Sequence, residues 1–393
     1  MGEKVNFNKQ ISREGTHTEK YESRIIKFGT EDVLPLWVAD MDLPSSNAIQ
    51  SALIERVKHP IYGYTGYYDA YYNSIQRWMD KAHGWQIEKK WIAPINAIVT
   101  GLNLSVEALT KEGDGVIIQP PIYPPFYYAA KNHKRKLLEN ELKIVNGRYE
   151  IDFEDFEAKA KDAKLFLFCS PHNPTGRVWT KEELEKLALI CKENSVLIIS
   201  DEVHADLVYE GCTHIPIATL ENAKDITVTL NAPSKTFNIA GIVSAYAIAE
   251  NSSLRRRFHE IFKRYSLTQP TPISLSATVA AYTGSDDWLE SLLVHLKENL
   301  EYIKSRLVKM PNIKAMPMES TFLLWLDCHE LNLDDKALEK FFIEEAKLGL
   351  NTGVSFGKGG EGFMRLNFAV PKVVLEQAMD QLQEAYDGLT CSD

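Results

Sequence analysis

Lys235 stands between two hydroxyls in "NAPSKTFNIAG" (231–241), at the end of the apolar run "ITVTLNA" (226–232). In isolation a Ser-Lys-Thr triplet is an ordinary solvated charge. Two other apolar runs also end in chemically able groups. "LFLFCSPHNPTG" (165–176) delivers Asn173, and "VLIISDEVH" (196–204) delivers Asp201 and His204. These deliveries follow one another at intervals of about one strand–helix unit. Ligands of open α/β sheets bind outside the carboxyl ends of the strands, so the side chains are expected to converge there. A lysine, an aspartate and an asparagine so gathered fit pyridoxal phosphate. The lysine amine forms a Schiff base with the cofactor aldehyde, which requires a neutral amine and hence a partly desolvated site. The aspartate keeps the pyridine nitrogen protonated, making the ring an electron sink, and the asparagine amide donates to the phenolate oxygen.

Such a cofactor also needs a phosphate cradle and a face for its ring. "NAIVTGLNLSVEAL" (96–109) reads as a loop opening a helix, so the amides of Ala97, Ile98 and Val99 would hold the phosphate at the positive helix end, with the Ser234 hydroxyl added. In "PPIYPPF" (120–126) Tyr123 follows a strand and is mounted by prolines, either as a stacking face for the pyridine or as ordinary packing. Arg365 lies in the apolar context "FMRLNFA", where an unpaired guanidinium is costly. It is either half of a structural salt bridge or a bidentate clamp for a substrate α-carboxylate, and an amino-acid cofactor favours the clamp. Gly241 is expected to ease a tight return of the chain past the site.

The elements that must position these groups are legible. "GVIIQ" (115–119), "LFLFCS", "VLIIS", "ITVTLNA" and "SAYAIAE" (244–250) read as strands separated by helical stretches, the pattern of an α/β domain with a largely parallel sheet. In "TKEELEKLALICKEN" (180–194), Thr180 and Glu183 form a capping box and Leu184, Leu187, Ala188 and Cys191 one apolar face. Beyond about residue 285 a long helical stretch, "TFLLWLD" (321–327), an amphipathic helix and "GFMRLNFA" (362–369) read as a smaller α+β unit. The chain is therefore divided into an arm (1–45) packing on the small unit, a large cofactor-binding domain (46–285) and a small domain (286–393). "GKGGEG" (357–362) lacks the flanking strand and helix of a phosphate loop and reads as a flexible turn. The six tyrosines of "IYGYTGYYDAYY" (61–72) are assigned to core or interface.

Composition bounds the function. A formal net charge of −10 argues against nucleic acid as a partner, and Arg255, Arg256 and Arg257 read as a solvated helix face. No apolar run approaches a membrane span and the first residues carry no signal core, so a soluble cytoplasmic protein is expected. The five cysteines, Cys169, Cys191, Cys212, Cys328 and Cys391, are scattered without a CxxC pair and read as reduced thiols. "DEVHAD" (201–206) could pass for a metal site, but the histidines lack compact ligand spacing and no metal is expected.

Over nearly its whole length the sequence resembles the MalY/PatB cystathionine β-lyase (C–S lyase) family of fold-type I pyridoxal phosphate enzymes. The resemblance is carried by "LPLWVADMD" (34–42), "YGYTG" (62–66), "PPIYPPF", "CSPHNPTGRVW" (169–179), "SDEVHADLV" (200–208), "APSKTFNIAG" (232–241) and "RLNFAVP" (365–371). It implies a large domain with a mostly parallel seven-stranded sheet flanked by helices, plus the smaller C-terminal domain. It further implies Lys235 as cofactor-bearing base, Asp201 at the pyridine nitrogen, Asn173 and His204 near the phenolate, Tyr123 on the ring and Arg365 on the substrate carboxylate. Ala39 and Asp40 would border the substrate, and Tyr64 would reach the phosphate of a neighbouring subunit in a homodimer with shared active sites. Two departures are expected. Where the family's cradle reads Gly-Val-Val, this chain has Ala97-Ile98-Val99, and alanine confines a backbone that glycine would free. "GTHTEKYES" (15–23) matches the family's "KWD"-type segment only loosely, which points to a different substrate preference. The implied reaction is β-elimination from cystathionine or another L-cysteine S-conjugate. An aminotransferase would use the same lysine, aspartate and arginine, and a regulatory protein that binds a transcription activator is the alternative of another class.

Overall fold

The computed structural model describes residues 5–390, so Cys391 lies outside the described residues. A seven-stranded sheet runs, edge to edge, through Ile92–Ile95, Ala245–Ile248, Thr227–Asn231, Leu197–Asp201, Ala163–Cys169, Gly115–Ile118 and Lys136–Glu139. All neighbours pair in parallel except Ala245–Ile248, which is antiparallel to both of its neighbours. The central strands are buried on both faces because helices cover both, and this explains why "GVII" and "TVTLN" are not alternating patterns.

The reversed strand matters for the site. Six strands bring their carboxyl ends to one edge, and Ala245–Ile248 brings its amino end there instead. Cys169 pairs with Asp201, and Asp201 with Leu230, so the loops carrying Asn173, Asp201 and Lys235 leave the sheet side by side.

Helix boundaries follow local chemistry. The capping box forms as expected, Thr180 Oγ1 accepting from Glu183 N and Glu183 Oε2 from Thr180 N, at the start of Lys181–Glu193. Thr271 caps Pro272–Gly284, with proline at its first position. The long helix Asp286–Leu307 buries Trp288, Leu292, Leu296, Leu300, Ile303 and Leu307 as one stripe. That stripe meets a four-stranded antiparallel sheet of Lys314–Ala315, Leu323–Asp327, Phe363–Asn367 and Asn351–Thr352 in spatial order.

The N-terminal arm is pinned to this smaller sheet's unit. Leu34–Pro35 pairs in parallel with Leu348–Gly349, and Phe7 sets its ring edge-on to Trp288. The arm also reaches the large sheet's loops: Asn238 donates to Met41 O and Leu43 O and accepts from Met41 N.

Three expectations are corrected. Gly241 sits in an ordinary 3₁₀ turn with open space where a Cβ would be, and the left-handed residues of this return are Asn238 and Val243, each with φ 55°. "GKGGEG" is a turn, but a tightly packed one: a Cβ on Gly360 would lie 2.1 Å from Gly353 O, and one on Gly357 would fall on the Tyr127 ring. Close packing together with left-handed backbone, φ 88° at Gly357, 75° at Gly359 and 72° at Gly362, selects these glycines. Arg256 is exposed as expected, whereas the half-buried Arg255 donates to Ala249 O at 2.8 Å and the exposed Arg257 to Ala108 O at 3.0 Å. Among the described residues no helix is long and apolar enough to cross a membrane.

Candidate active site

Two adjoining cavities open where the strand ends meet. The inner one, of about 220 Å³, is lined by Ala97, Ile98, Val99, Tyr123, Asn173, Asp201, His204, Ser234 and Lys235 among others. The outer one, of about 810 Å³, shares Ala39, Tyr123 and Lys235 and adds Asp40 and Arg365. Every site residue expected from the sequence lines one or both, except Tyr64, which is 95% exposed on the segment before the helix Asp69–His83.

At one end of the inner cavity, Ala97 is the N-cap of Ile98–Leu109 and offers no side-chain acceptor. The first-turn N–H groups are left for a ligand, and an anion is the ligand they favour. Ala97 is extended, with φ −151°, so the cradle does not need the glycine freedom that alanine lacks. Val243, a β-branched residue held at positive φ, lines the same end and marks local strain.

Asp201, 5% exposed, ends the strand that lies three places across the sheet from the one leading to Ala97. Its Oδ1 accepts from Val203 N at 3.2 Å, and no cation pairs with it among the described residues. Burial pushes its pKa up to about 7, the Val203 N–H and the charge of Lys235 opposing. His204 beside it is buried with Nδ1 unpartnered, and burial together with Lys235 and Arg365 lowers its pKa to about 3, so it is a neutral ring.

The carboxyl cost of Asp201 predicts a measurable signature in cofactor-free protein. A folded pKa near 7 against 3.8 in the unfolded chain means that the folded state binds the extra proton. The group's contribution to stability is therefore full below pH about 4 and is lost as pH rises through about 7, a change on the order of 4 kcal/mol. Asp201→Asn should gain stability relative to the parent chain across that window in denaturant titrations. A difference that stays constant with pH would overturn the assignment.

Lys235 lines both cavities from the short helix Pro233–Thr236. Burial lowers its pKa to about 8, with Arg365 adding to the fall and the charges of Asp40 and Asp201 opposing it. Its Nζ donates to Ala39 O at 2.5 Å. The flanking residues fix it: Thr236 Oγ1 donates to Asp206 Oδ2 at 2.7 Å, and Asp206 Oδ1 also meets Trp78 Nε1 and His83 Nε2, each at 3.0 Å. The acid in "DEVHAD" that might have suggested a metal is thus a structural anchor.

Arg365 is 4% exposed, and its partners are all neutral: Asn173 Oδ1 at 3.0 Å, Trp37 O at 2.8 Å and Asn351 Oδ1 at 2.7 Å. Its Nε has no partner among the described residues, and burial lowers its pKa to about 10. Arg177 is equally buried but held by Glu183 at 2.8 Å and Glu319 at 3.4 Å. The salt-bridge alternative for Arg365 therefore fails among the described residues. The guanidinium is a prepared, uncompensated cation facing a cavity. Because Asn173 gives its oxygen to Arg365, its amide N–H groups remain for a ligand.

Asp40 borders the outer cavity as expected, but its carboxylate is not free. Burial alone would raise its pKa; hydrogen bonds from Arg13 and the charge of Lys20 hold it low instead. Arg13 bridges Asp40 and Asp42, each at 2.6 Å, and the fully buried Lys20 lies 3.0 Å from Asp42 and 3.6 Å from Asp40. Asn367 Nδ2 holds the carbonyls of Val38 and Asp40, each at 2.6 Å. Arg13, Lys20, Asp42, Asn238, Asn351 and Asn367 were not found by sequence reasoning. The available signal was the pair of acids in the apolar "LPLWVADMD", since buried carboxylates need cations.

The two cavities together suit a compact aromatic ligand with an anion at one end and a basic ring nitrogen at the other, beside a carboxylate-bearing molecule. The family model for class I and II aminotransferases matches residues 31–382. The chain is 38% identical to cystathionine β-lyase PatB of Bacillus subtilis, over 97% of this chain and 100% of that protein. It is 34% identical to protein MalY of Escherichia coli, over 96% and 98%. Among solved structures, cystalysin of Treponema denticola, which contains pyridoxal 5′-phosphate, superposes with a TM-score of 0.95 at 36% identity, covering 98% of this chain and 100% of that one.

Proposed function

Because the chain belongs to the class I and II aminotransferase family and, within it, to the MalY/PatB cystathionine β-lyases, we propose that it is a pyridoxal phosphate-dependent carbon–sulfur β-lyase. It cleaves cystathionine or a related L-cysteine S-conjugate to a thiol, pyruvate and ammonia. The observation that carries this reading is that the half-buried Lys235 and the buried Asp201 and Arg365 surround one pair of cavities, and none is ion-paired among the described residues.

The residues fit the cofactor. Asp201 lacks the cation that a protonated ring nitrogen provides, the helix at Ile98 lacks an anion, and Asn173 retains unused N–H groups. The Ile98 and Val99 amides with Ser234 would hold the phosphate, Ala97 forming the N-cap beneath it, while Tyr123 would cover the ring and His204 lie near its phenolate side. When bound, pyridoxal phosphate withdraws the electron pair left at the substrate's Cα.

The remaining chemistry belongs to the chain. Arg365, with Asn173 and Asn351 holding its fork in place, receives the substrate carboxylate and fixes the Cα–H bond toward Lys235. The Lys235 amine, easily neutral at its lowered pKa, takes the Cα proton. Ala39 O then accepts from the resulting ammonium, and the nearby Asp40 charge favours it. From there Nζ delivers a proton to the departing sulfur.

The test is to supply cystathionine to cofactor-loaded protein and measure pyruvate and thiol together. Equimolar release is expected. Amino transfer to a keto acid without pyruvate would instead make the chain an aminotransferase.

The assembly proposed is a homodimer that shares its active sites. It is supported by the exposure of Ile54, Val57, Ile61, Tyr62 and Tyr64 on one stretch of the chain, and by a groove between the helices Asn47–Lys58 and Pro272–Gly284. Tyr64, remote from its own chain's cavities, would complete the partner's phosphate site. A monomeric mass in sedimentation equilibrium would exclude it.

A further inference from the structure

Apart from Lys235, which is assigned to the cofactor, the outer cavity is lined by two charges, one of each sign, that no ion pair among the described residues meets. Arg365 is the cation, and its need is met by the α-carboxylate of any amino-acid substrate. Glu19 is the anion. It lines the mouth of the same cavity from the short helix Glu19–Glu22 as a solvent-exposed residue, and its carboxylate makes no ion pair or hydrogen bond among the described residues. The preceding Thr18 also lines the wall, with its Oγ1 buried and unpartnered.

The other charges on this wall are committed. Asp40 and Asp42 are held by Arg13 and Lys20, and Arg13 has both terminal nitrogens engaged by the two acids. The wall is also fixed relative to the carboxylate clamp. Trp37 accepts from Arg365 through its carbonyl at 2.8 Å and donates its indole N–H to Lys20 O at 3.0 Å. One residue therefore links the turn carrying Glu19 to the guanidinium. The charge of Glu19 reaches the Tyr123 hydroxyl, where it adds to burial in raising that group's pKa.

An α-amino acid offers its carboxylate to Arg365 and its amine to the cofactor, so neither satisfies Glu19. Of a bound substrate, only the part beyond the sulfur can bring a cation to Glu19 in place of the water that otherwise solvates it. Resting on the carbon–sulfur lyase reading, we infer that Glu19 is a specificity residue selecting L-cysteine S-conjugates whose leaving group carries an ammonium, with the Thr18 hydroxyl as a second acceptor. An anionic leaving group meets Glu19 with no free cation beside it, and a neutral one leaves Glu19 as it is.

The experiment compares S-(2-aminoethyl)-L-cysteine, S-propyl-L-cysteine and S-(carboxymethyl)-L-cysteine. KM and kcat are taken from pyruvate release, and Kd is measured by calorimetry on cofactor-loaded Lys235→Ala protein, which binds without turnover. The aminoethyl conjugate should bind roughly five- to tenfold more tightly than the propyl one by both measures, with kcat little different and the carboxymethyl conjugate weakest. Added salt should shrink the preference. In Glu19→Gln the aminoethyl-to-propyl ratio should fall to about one. Equal affinities in the parent chain, or a preference that survives Glu19→Gln, would overturn the inference. A preference in Kd with no pyruvate from any conjugate would instead leave it standing and sink the lyase reading.

Discussion

Lys235→Ala protein should release pyruvate at least ~10³-fold more slowly than the parent chain, and should carry its cofactor only as a dialysable ligand. The size of the effect follows from Lys235 acting twice on the substrate's protons and from its amine being the one that lines both cavities. The loss should be chemical, not structural. Thr236 remains on Asp206, and Asn238 still holds Met41 and Leu43, so the backbone around the deleted amine keeps its anchors. Two readouts separate these cases. Melting temperature should change little, and a small primary amine added to the buffer should restore part of the rate, because what is missing is a base and not a fold. Full activity in the alanine variant would remove Lys235 from the mechanism.

Arg365→Met should lower kcat/KM for amino-acid substrates by roughly 10²- to 10³-fold, most of it in KM. The informative control is Arg177→Met. Both guanidiniums are buried, but Arg177 sits between two glutamates while Arg365 has only carbonyl and amide oxygens. Removing one partner of a buried ion pair strands the other charge and costs about 3–5 kcal/mol. Removing a buried cation that has no counter-ion strands none. Arg177→Met should therefore unfold at markedly lower denaturant with its KM little changed, and Arg365→Met should do the reverse. Equal destabilisation by both would make Arg365 a structural residue.

The contrast between these arginines also shows what could be read from the chain. Asn173, Asp201 and Lys235 were legible because each ends an apolar strand of a parallel sheet, where position along the sequence translates directly into position at one edge. Arg365 was legible as a costly charge in an apolar run, yet its partners were not, since whether a buried cation is paired depends on residues far away in sequence. Arg13 and Lys20 were missed for the same reason: they lie in an irregular segment with no period to read, and meet Asp40 and Asp42 only through tertiary packing. Gly241 was misassigned because a glycine after a turn is a permission and not a requirement, and Asn238 and Val243 carry the positive φ instead. Alanine at the phosphate cradle looked restrictive only while the backbone there was taken to need φ > 0, and at −151° it does not.

The segment from Trp37 to Leu43 has a bearing on the order in which the site comes into being. Its bonds to Arg365 and Asn367 span 328 and 329 residues, and those to Asn238 span 197 and 195. Contacts of such separation carry a heavy loop-closure cost and can form only after both partners have been synthesised. The groups assigned to the chain's own cofactor fall between Ala97 and Lys235, along the edge of a single sheet. Those assigned to the substrate's carboxylate need the first forty residues to meet the last thirty. On a ribosome making the chain from its amino end, the ability to hold a cofactor can therefore precede the ability to choose a substrate. A chain released a few dozen residues early would have the reactive half of its site without the discriminating one.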